Sequence, residues 1–293
     1  MLEGKIYKLL AGMYYIDTAG CGKIEAKAKG SFRNEKITPK VGDNVTVEGT
    51  VGGYRIREIL TRKNQLVRPA VANIDNLFVV LSVHKPEPDL LLAEKLIFAA
   101  RKNNIEPCIV INKCDLDPDG AEKLALQMSQ SGAPVLQISV KNRVGLDKLM
   151  DILRNKTSCF AGQSAVGKSS ISSYFLPNLK LSTGGLSKKT DRGKHTTRCC
   201  ELFFIADNSY IVDTPGFSLF DDITIDPDEF ISSFDEQYFL FSKDCRFRGC
   251  SHTNEPDCAV KNAVLQGALS KERYERYCKL YQNIYENWRN RYD

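Results

Sequence analysis

Residues 161–170, AGQSAVGKSS, constrain this chain more than any other stretch. Gly162, Gly167, Lys168 and Ser169 match the pattern G-x-x-x-x-G-K-[ST], which works only where a strand runs into a loop and the loop opens a helix. The apolar segment KTSCFAG before it reads as the strand, and SSISSYF after it reads as the helix. Glycines let the backbone N–H groups of Gln163, Ser164, Ala165, Val166 and Gly167 turn inward around phosphate oxygens. The helix start at Ser169 and Ser170 adds its positive end. Lys168 then neutralises the outer phosphates and Ser169 ligates magnesium.

Such a unit belongs to an α/β fold, and the residues around it agree. From residue 74 strand and helix signals alternate. NLFVVLSV, PCIVIN and APVLQIS read as strands, and 89–103, 119–131 and 145–154 as helices. The first sixty residues differ. GKIYKLL, MYYIDT, GKIEAKAKG, DNVTVEG and YRIREIL are short strand-like runs broken by glycine turns, which predicts a small antiparallel barrel. The oligonucleotide/oligosaccharide-binding (OB) fold leads, with an SH3-like barrel as the alternative. After residue 222 helical segments flank a Cys/His cluster. The expected units are therefore 1–65, an all-β OB-fold barrel; 66–222, an α/β P-loop domain; and 223–293, a mostly helical unit.

Three further motifs fall at strand ends of the α/β unit. INKCD, residues 111–115, has the Asn-Lys-x-Asp pattern that reads guanine. Asp115 accepts from the ring N–H and the exocyclic amine, Asn112 bridges base and loop, and the stem of Lys113 covers the ring face. One helix and strand later comes Ser139-Val140-Lys141, whose backbone N–H can reach the guanine oxygen. YIVDTPGF, residues 210–217, supplies D-x-x-G: Asp213 for magnesium through water, and the N–H of Gly216 for the terminal phosphate. Between loop and D-x-x-G, either Thr196 or Thr197 of GKHTTRCC can close on magnesium and phosphate. A small GTPase ordinarily runs phosphate loop, threonine, D-x-x-G, N-K-x-D. Here the guanine motifs come first, so the α/β unit is circularly permuted, as surface chain ends that lie close together permit.

Ten cysteines would point to disulfides in a secreted chain. This N-terminus shows no basic start followed by an apolar run, so a reducing cytoplasm is expected. Four of the ligand-type residues cluster: Cys245, Cys250, His252 and Cys258, a closed set suited to one structural zinc ion. No run approaches a membrane span. The net charge of +5 is modest but uneven, with 11 basic against 7 acidic residues in 1–62 and six basic against one acidic in 180–198. Both clusters fit a polyanion. Tyr274, Tyr277, Tyr281, Tyr285, Trp288 and Tyr292 share one helical face, which usually packs on a core. The neighbouring Arg273, Arg276 and Lys279 leave open a second reading, stacking on RNA.

With motifs in this order, the chain resembles the bacterial ribosome small-subunit-dependent GTPase A family of circularly permuted GTPases. The resemblance runs through LVRPAVANID, IEPCIVINKCDL, GQSAVGKSS, GKHTTR, IVDTPGF and the C-x(4)-C-x-H-x(5)-C cluster. It implies GTP and GDP as ligands with Mg2+ and Zn2+, and binding to the 30S ribosomal subunit and its 16S rRNA during late maturation. It also implies subunit-stimulated hydrolysis; a monomer is expected. Phe217 stands where many GTPases carry the glutamine that orients the attacking water. His195 is the catalytic candidate that the family suggests in its place, the other reading being contact with RNA or solvent.

Overall fold

The computed structural model describes residues 1–290 except 31, 33–36, 67–69, 178–199, 207 and 214–224. Strands β1 (Leu2–Leu10), β2 (Met13–Thr18), β3 (Gly22–Ala28), β4 (Asn44–Thr50) and β5 (Gly53–Ile59) come first. Their apolar residues alternate with polar ones, so Ile6, Tyr14, Ile16, Ala26, Val45, Val47 and Ile56 share one buried interior. Pairing runs β1-β2-β3-β5-β4 and returns to β1, which closes the sheet on itself. Only β3 and β5 run parallel, a pairing that a simple meander of hairpins would lack, and the barrel is of the OB type.

The stretch after β5, polar and basic in sequence, is a hydrogen-bonded clasp. Arg62 grips both carboxylate oxygens of the buried Asp43, at 2.7 and 2.8 Å. Asn64 donates to the carbonyls of Ile74 and Asn104, and Asn73 to that of Gly42. Its polarity is consumed internally, since a buried carboxylate needs a matched partner.

The α/β unit holds β6 (Asn76–Ser82), β7 (Glu106–Asn112), β8 (Val135–Gln137), β9 (Thr157–Ala161), β10 (Glu201–Ala206) and β11 (Ser209–Asp213). The order is β10-β11-β9-β6-β7-β8, parallel apart from β10. Helices α1 (Leu90–Lys102) and α2 (Pro118–Ser129) cover one face, α3 (Leu146–Leu153) and α4 (Lys168–Phe175) the other. Both faces of β6 are therefore buried: Leu77, Val79 and Leu81 pack on one side, Phe78 and Val80 on the other. That is why NLFVVLS reads as an unbroken apolar run. β1 of the barrel also pairs with β10 at Lys8 and Glu201, whose side chains form a 2.8 Å ion pair. Barrel and sheet thus form one eleven-stranded array.

The C-terminal unit is helical: α5 (Pro227–Ser233), α6 (Glu236–Ser242), α7 (Ala259–Leu265) and α8 (Lys271–Arg289). Asp226, Asp235 and Ser270 cap α5, α6 and α8 by accepting from first-turn N–H groups. Phe230, Phe234, Tyr238, Tyr277 and Leu280 form its core together with Phe98 of α1. The inner part of the aromatic stripe faces this core, with Tyr277 stacked on Phe230 at 5.4 Å between ring centres. Arg273 and Arg276 are not available to RNA. Both are buried against Glu94 of α1, at 3.2 and 2.9 Å, and Arg273 also meets Asp235 at 2.9 Å. Among the described residues no helix is long and apolar enough to cross a membrane.

Candidate nucleotide site and metal centre

The phosphate loop leaves the carboxyl end of β9, between β11 and β6, where the chain's path across the sheet changes direction. Ligands of open α/β sheets bind at such a point. Both motif glycines are required by close approach. Gly162 has φ +137° and a Cβ there would lie 2.2 Å from the carbonyl oxygen of Val80; at Gly167, φ is +103° and a Cβ would lie 2.2 Å from Asn112 Nδ2. The loop is thus fitted against β6 and against the guanine motif before any ligand is considered.

Asn112 is the joint. Buried at the end of β7, it donates Nδ2 to the Val166 carbonyl at 2.9 Å, while its Oδ1 has no partner among the described residues. A buried acceptor left over is costly, and a ligand N–H would satisfy it. Lys113, in a left-handed conformation, reaches across to donate to the carbonyls of Ala165 and Lys85 at 2.9 and 2.7 Å. Asp115 is half-buried on the following turn. Cys114 N–H binds the Ile138 carbonyl, which sets this turn beside Ser139, Val140 and Lys141. Ser139 is buried, pairs backbone to backbone with Val144, and accepts from Asn142 N–H through Oγ.

Lys168 turns back into the loop, donating Nζ to the carbonyls of Gly162 and Gln163. Burial lowers its pKa, and anionic phosphate would restore the charged form that burial disfavours. Ser169 and Ser170 are exposed in the first turn of α4. Gln163 Oε1 accepts from the N–H of Asp89, the residue that caps α1. The motif does not signal this link, which fastens the phosphate loop to a helix seventy-odd residues earlier. β11 brings the backbone of Asp213 one residue past its Val212–Cys159 pair, to the same end of the sheet. The Asp213 side chain lies outside the described residues, as do Thr196, Thr197, His195, Gly216 and Phe217.

The sequence-predicted Cys/His set converges. The ligand atoms of Cys245, Cys250, His252 and Cys258 all lie within 4.8 Å of one another. Tetrahedral zinc with ordinary bond lengths separates two sulfurs by about 3.8 Å and a sulfur from a nitrogen by about 3.6 Å. Here Cys245 and Cys258 are 3.8 Å apart, and both meet His252 Nδ1, at 3.6 and 3.4 Å. The set fits the ion. Burial pushes the Cys250 thiol up to about 12, so without a cation the protonated form is favoured, and a metal would displace the proton. Outer partners hold the loop in shape. Tyr274 and Tyr277 donate hydroxyls to the carbonyls of His252 and Ser251, and Glu255 accepts from the N–H groups of Ser251 and Thr253. Sequence reading missed Glu255 and these hydroxyl contacts, because an aromatic stripe signals burial but not which hydroxyl finds a carbonyl.

A parallel sheet with one antiparallel edge, a glycine-framed phosphate loop at its centre and an Asn-Lys-x-Asp turn beside it define a P-loop GTPase, with its guanine half first in the chain. The family model described as RsgA GTPase matches residues 59–222, and that described as RsgA N-terminal domain matches residues 3–53. The small ribosomal subunit biogenesis GTPase RsgA of Caldanaerobacter subterraneus subsp. tengcongensis is 40% identical, covering 99% of this chain and 98% of the relative. Its counterpart in Alkaliphilus metalliredigens is also 40% identical, covering 99% and 100%. Among solved structures, YjeQ from Thermotoga maritima superposes with TM-score 0.81 at 33% identity, over 97% of this chain and 98% of that one. YloQ, described as a circularly permuted GTPase, does so with TM-score 0.79 at 33% identity, over 98% and 96%. The chain belongs to the RsgA family: it is a circularly permuted GTPase, a GTP hydrolase whose family implies GTP, GDP and magnesium as ligands.

Proposed function

We propose that the chain binds the small (30S) ribosomal subunit through 16S rRNA and assists its late maturation in the cytoplasm. In this reading it acts as a monomer, the docked subunit stimulates GTP hydrolysis, and hydrolysis leads to release. The observation that carries this is likeness over the full length to relatives named for small-subunit biogenesis, covering the barrel and the Cys/His unit as well as the GTPase core. The working units are 1–65, 66–222 and 223–293, a division that the order of elements supports.

Within the site, the N–H groups from Gly162 to Ser170 wrap the phosphates, and Lys168 exchanges its loop carbonyls for phosphate oxygens. Asp115 selects guanine, with Asn112 and Lys113 holding the base against the loop and the Ser139-Val140-Lys141 turn reaching its oxygen. Magnesium, when bound, offsets the charge that builds on the phosphates. Ser169 and Asp213 hold it, with one of Thr196 and Thr197. Gly216 presents its N–H to the terminal phosphate, and His195 positions the attacking water in the absence of a glutamine at 217. Cys245, Cys250, His252 and Cys258 hold one structural zinc ion.

Turnover measured with and without purified 30S subunits tests the proposal. A rise of at least tenfold is expected with 30S and none with 50S; equal rates would sink the subunit-sensing role. ATP competing as well as GTP for the purified protein would overturn the reading of Asp115.

A further inference from the structure

The barrel is basic in sequence, but many of its described cations already have partners. Lys8 is paired with Glu201, Arg62 with Asp43, and Lys63 of the clasp with Asp75. Lys40 is bound to Gln65 and the Leu66 carbonyl, and Lys5 is half-buried with its ammonium over the Tyr210 ring at 5.5 Å. Lys23 sits over the Tyr7 ring at 5.1 Å and lies opposite Asp17 in the β2–β3 register. Strands β2 and β3, through which OB folds ordinarily take oligonucleotides, are thus close to neutral on their outer face, with Glu25 opposite Tyr15 beside that pair.

Among the described residues, the cations that remain lie on β3, β5 and just past β3. Lys27, Lys29 and Arg55 are exposed and form no ion pair among the described residues, and Arg57, also exposed, donates only to Met1 Sδ at 3.4 Å. Lys27 and Arg55 stand directly opposite each other in the parallel β3–β5 register. Paired strands lie only about 4.8 Å apart, and like charges placed across such a pair destabilise the free sheet. Glu48 is in register with Arg55 on the other side but makes no ion pair with it among the described residues. At the same end the turn between β4 and β5 opens, with Val51 fully exposed at its tip. An anion seated between the two side chains would offset their like charge.

We propose that the barrel grips the phosphate backbone of RNA through this β3–β5 face, centred on Lys27 and Arg55, instead of through the β2–β3 pairing around Asp17, Lys23 and Glu25. This rests on the reading of the chain as a small-subunit binder and gives that binding a location.

The test compares the full-length protein with a K27Q/R55Q variant, binding to purified 30S subunits with a non-hydrolysable GTP analogue over a salt series. Each lost phosphate contact lowers the slope of log affinity against log salt by about 0.7 to 0.9. The double variant is therefore expected to lose about 1.4 to 1.8 of that slope, together with affinity. A K63Q variant, which removes an ion-paired lysine, should leave the slope unchanged. Subunit-free GTP hydrolysis should be unaltered, and the thermal midpoint should hold or rise because the like-charge pair is gone. A slope and affinity equal to those of the unsubstituted protein would mean a solvated face and overturn the proposal. Lost affinity at an unchanged slope would mean a protein contact and overturn it too. If the unsubstituted protein fails to bind 30S at all, the broader reading falls, an outcome distinct from either.

Discussion

A methyl group at position 167 would meet Asn112 Nδ2 at 2.2 Å, in a backbone conformation that L side chains rarely adopt. Gly167→Ala should therefore break the Asn112–Val166 bond and spread the phosphate loop away from the guanine turn, with little effect on the sheet beneath. The expected outcome is GDP affinity weakened by at least about tenfold, equivalent to about 1.4 kcal/mol, in a fluorescent-nucleotide titration. Unchanged affinity would show that the two motifs are not mechanically joined. At this scale the sequence was informative wherever a motif dictates backbone shape. Gly162 and Gly167 lie in the loop between β9 and α4, and Lys168 opens α4. The Gln163 contact to Asp89 was not legible, because a variable position inside a motif carries no mark of the helix cap it will touch.

Among the elements, α1 and α8 meet through a buried carboxylate held by two guanidinium groups. Breaking such a cluster from one side leaves charge buried without a partner, which costs about 3 to 5 kcal/mol. Glu94→Ala should lower the free energy of unfolding by about that much in urea titration; a change under about 1 kcal/mol would mean that water or rearrangement rescues the arginines. Helical periodicity located α8 and its buried face through Tyr274, Tyr277 and Tyr281. It left an RNA-facing reading of Arg273 and Arg276 open because arginine is ordinarily a surface residue, and the acid that draws Arg276 inward lies 182 positions away in the chain. A shorter error has a local cause. APVLQIS reads as a strand, yet β8 covers only Val135–Gln137, since Ser139 turns to pair with Val144.

For the molecule as a whole, the Cys/His centre and the aromatic core under it stand or fall together, because Tyr274 and Tyr277 reach from that core to the loop that carries His252. Metal analysis is expected to return one zinc per chain, and removal by a strong chelator should produce an early unfolding transition of the C-terminal unit with GDP binding retained. A single unchanged transition after metal removal would count against a structural role. The three-part architecture could be read from the chain because each part has its own grammar of periodicity. The clasp could not: its residues are only polar and basic in sequence, and it takes the burial of Asp43 to show what they hold.

The pairing of β1 with β10 gives the permuted order a mechanical meaning. β10 is the edge strand of the α/β unit, and β11 stands between it and β9, the strand that leads into the phosphate loop. The barrel is attached to the first through Lys8 and Glu201, and the chain runs on from the end of the second to the helical unit. Cutting and rejoining the domain in this way places two handles on the same end of the machine, the end where phosphate is gained and lost. The same two units also grip the guanine half, the barrel side through Asn64 at the Ile74 and Asn104 carbonyls and the helical unit through Arg273 and Arg276 at Glu94, so both halves of the site are braced from outside.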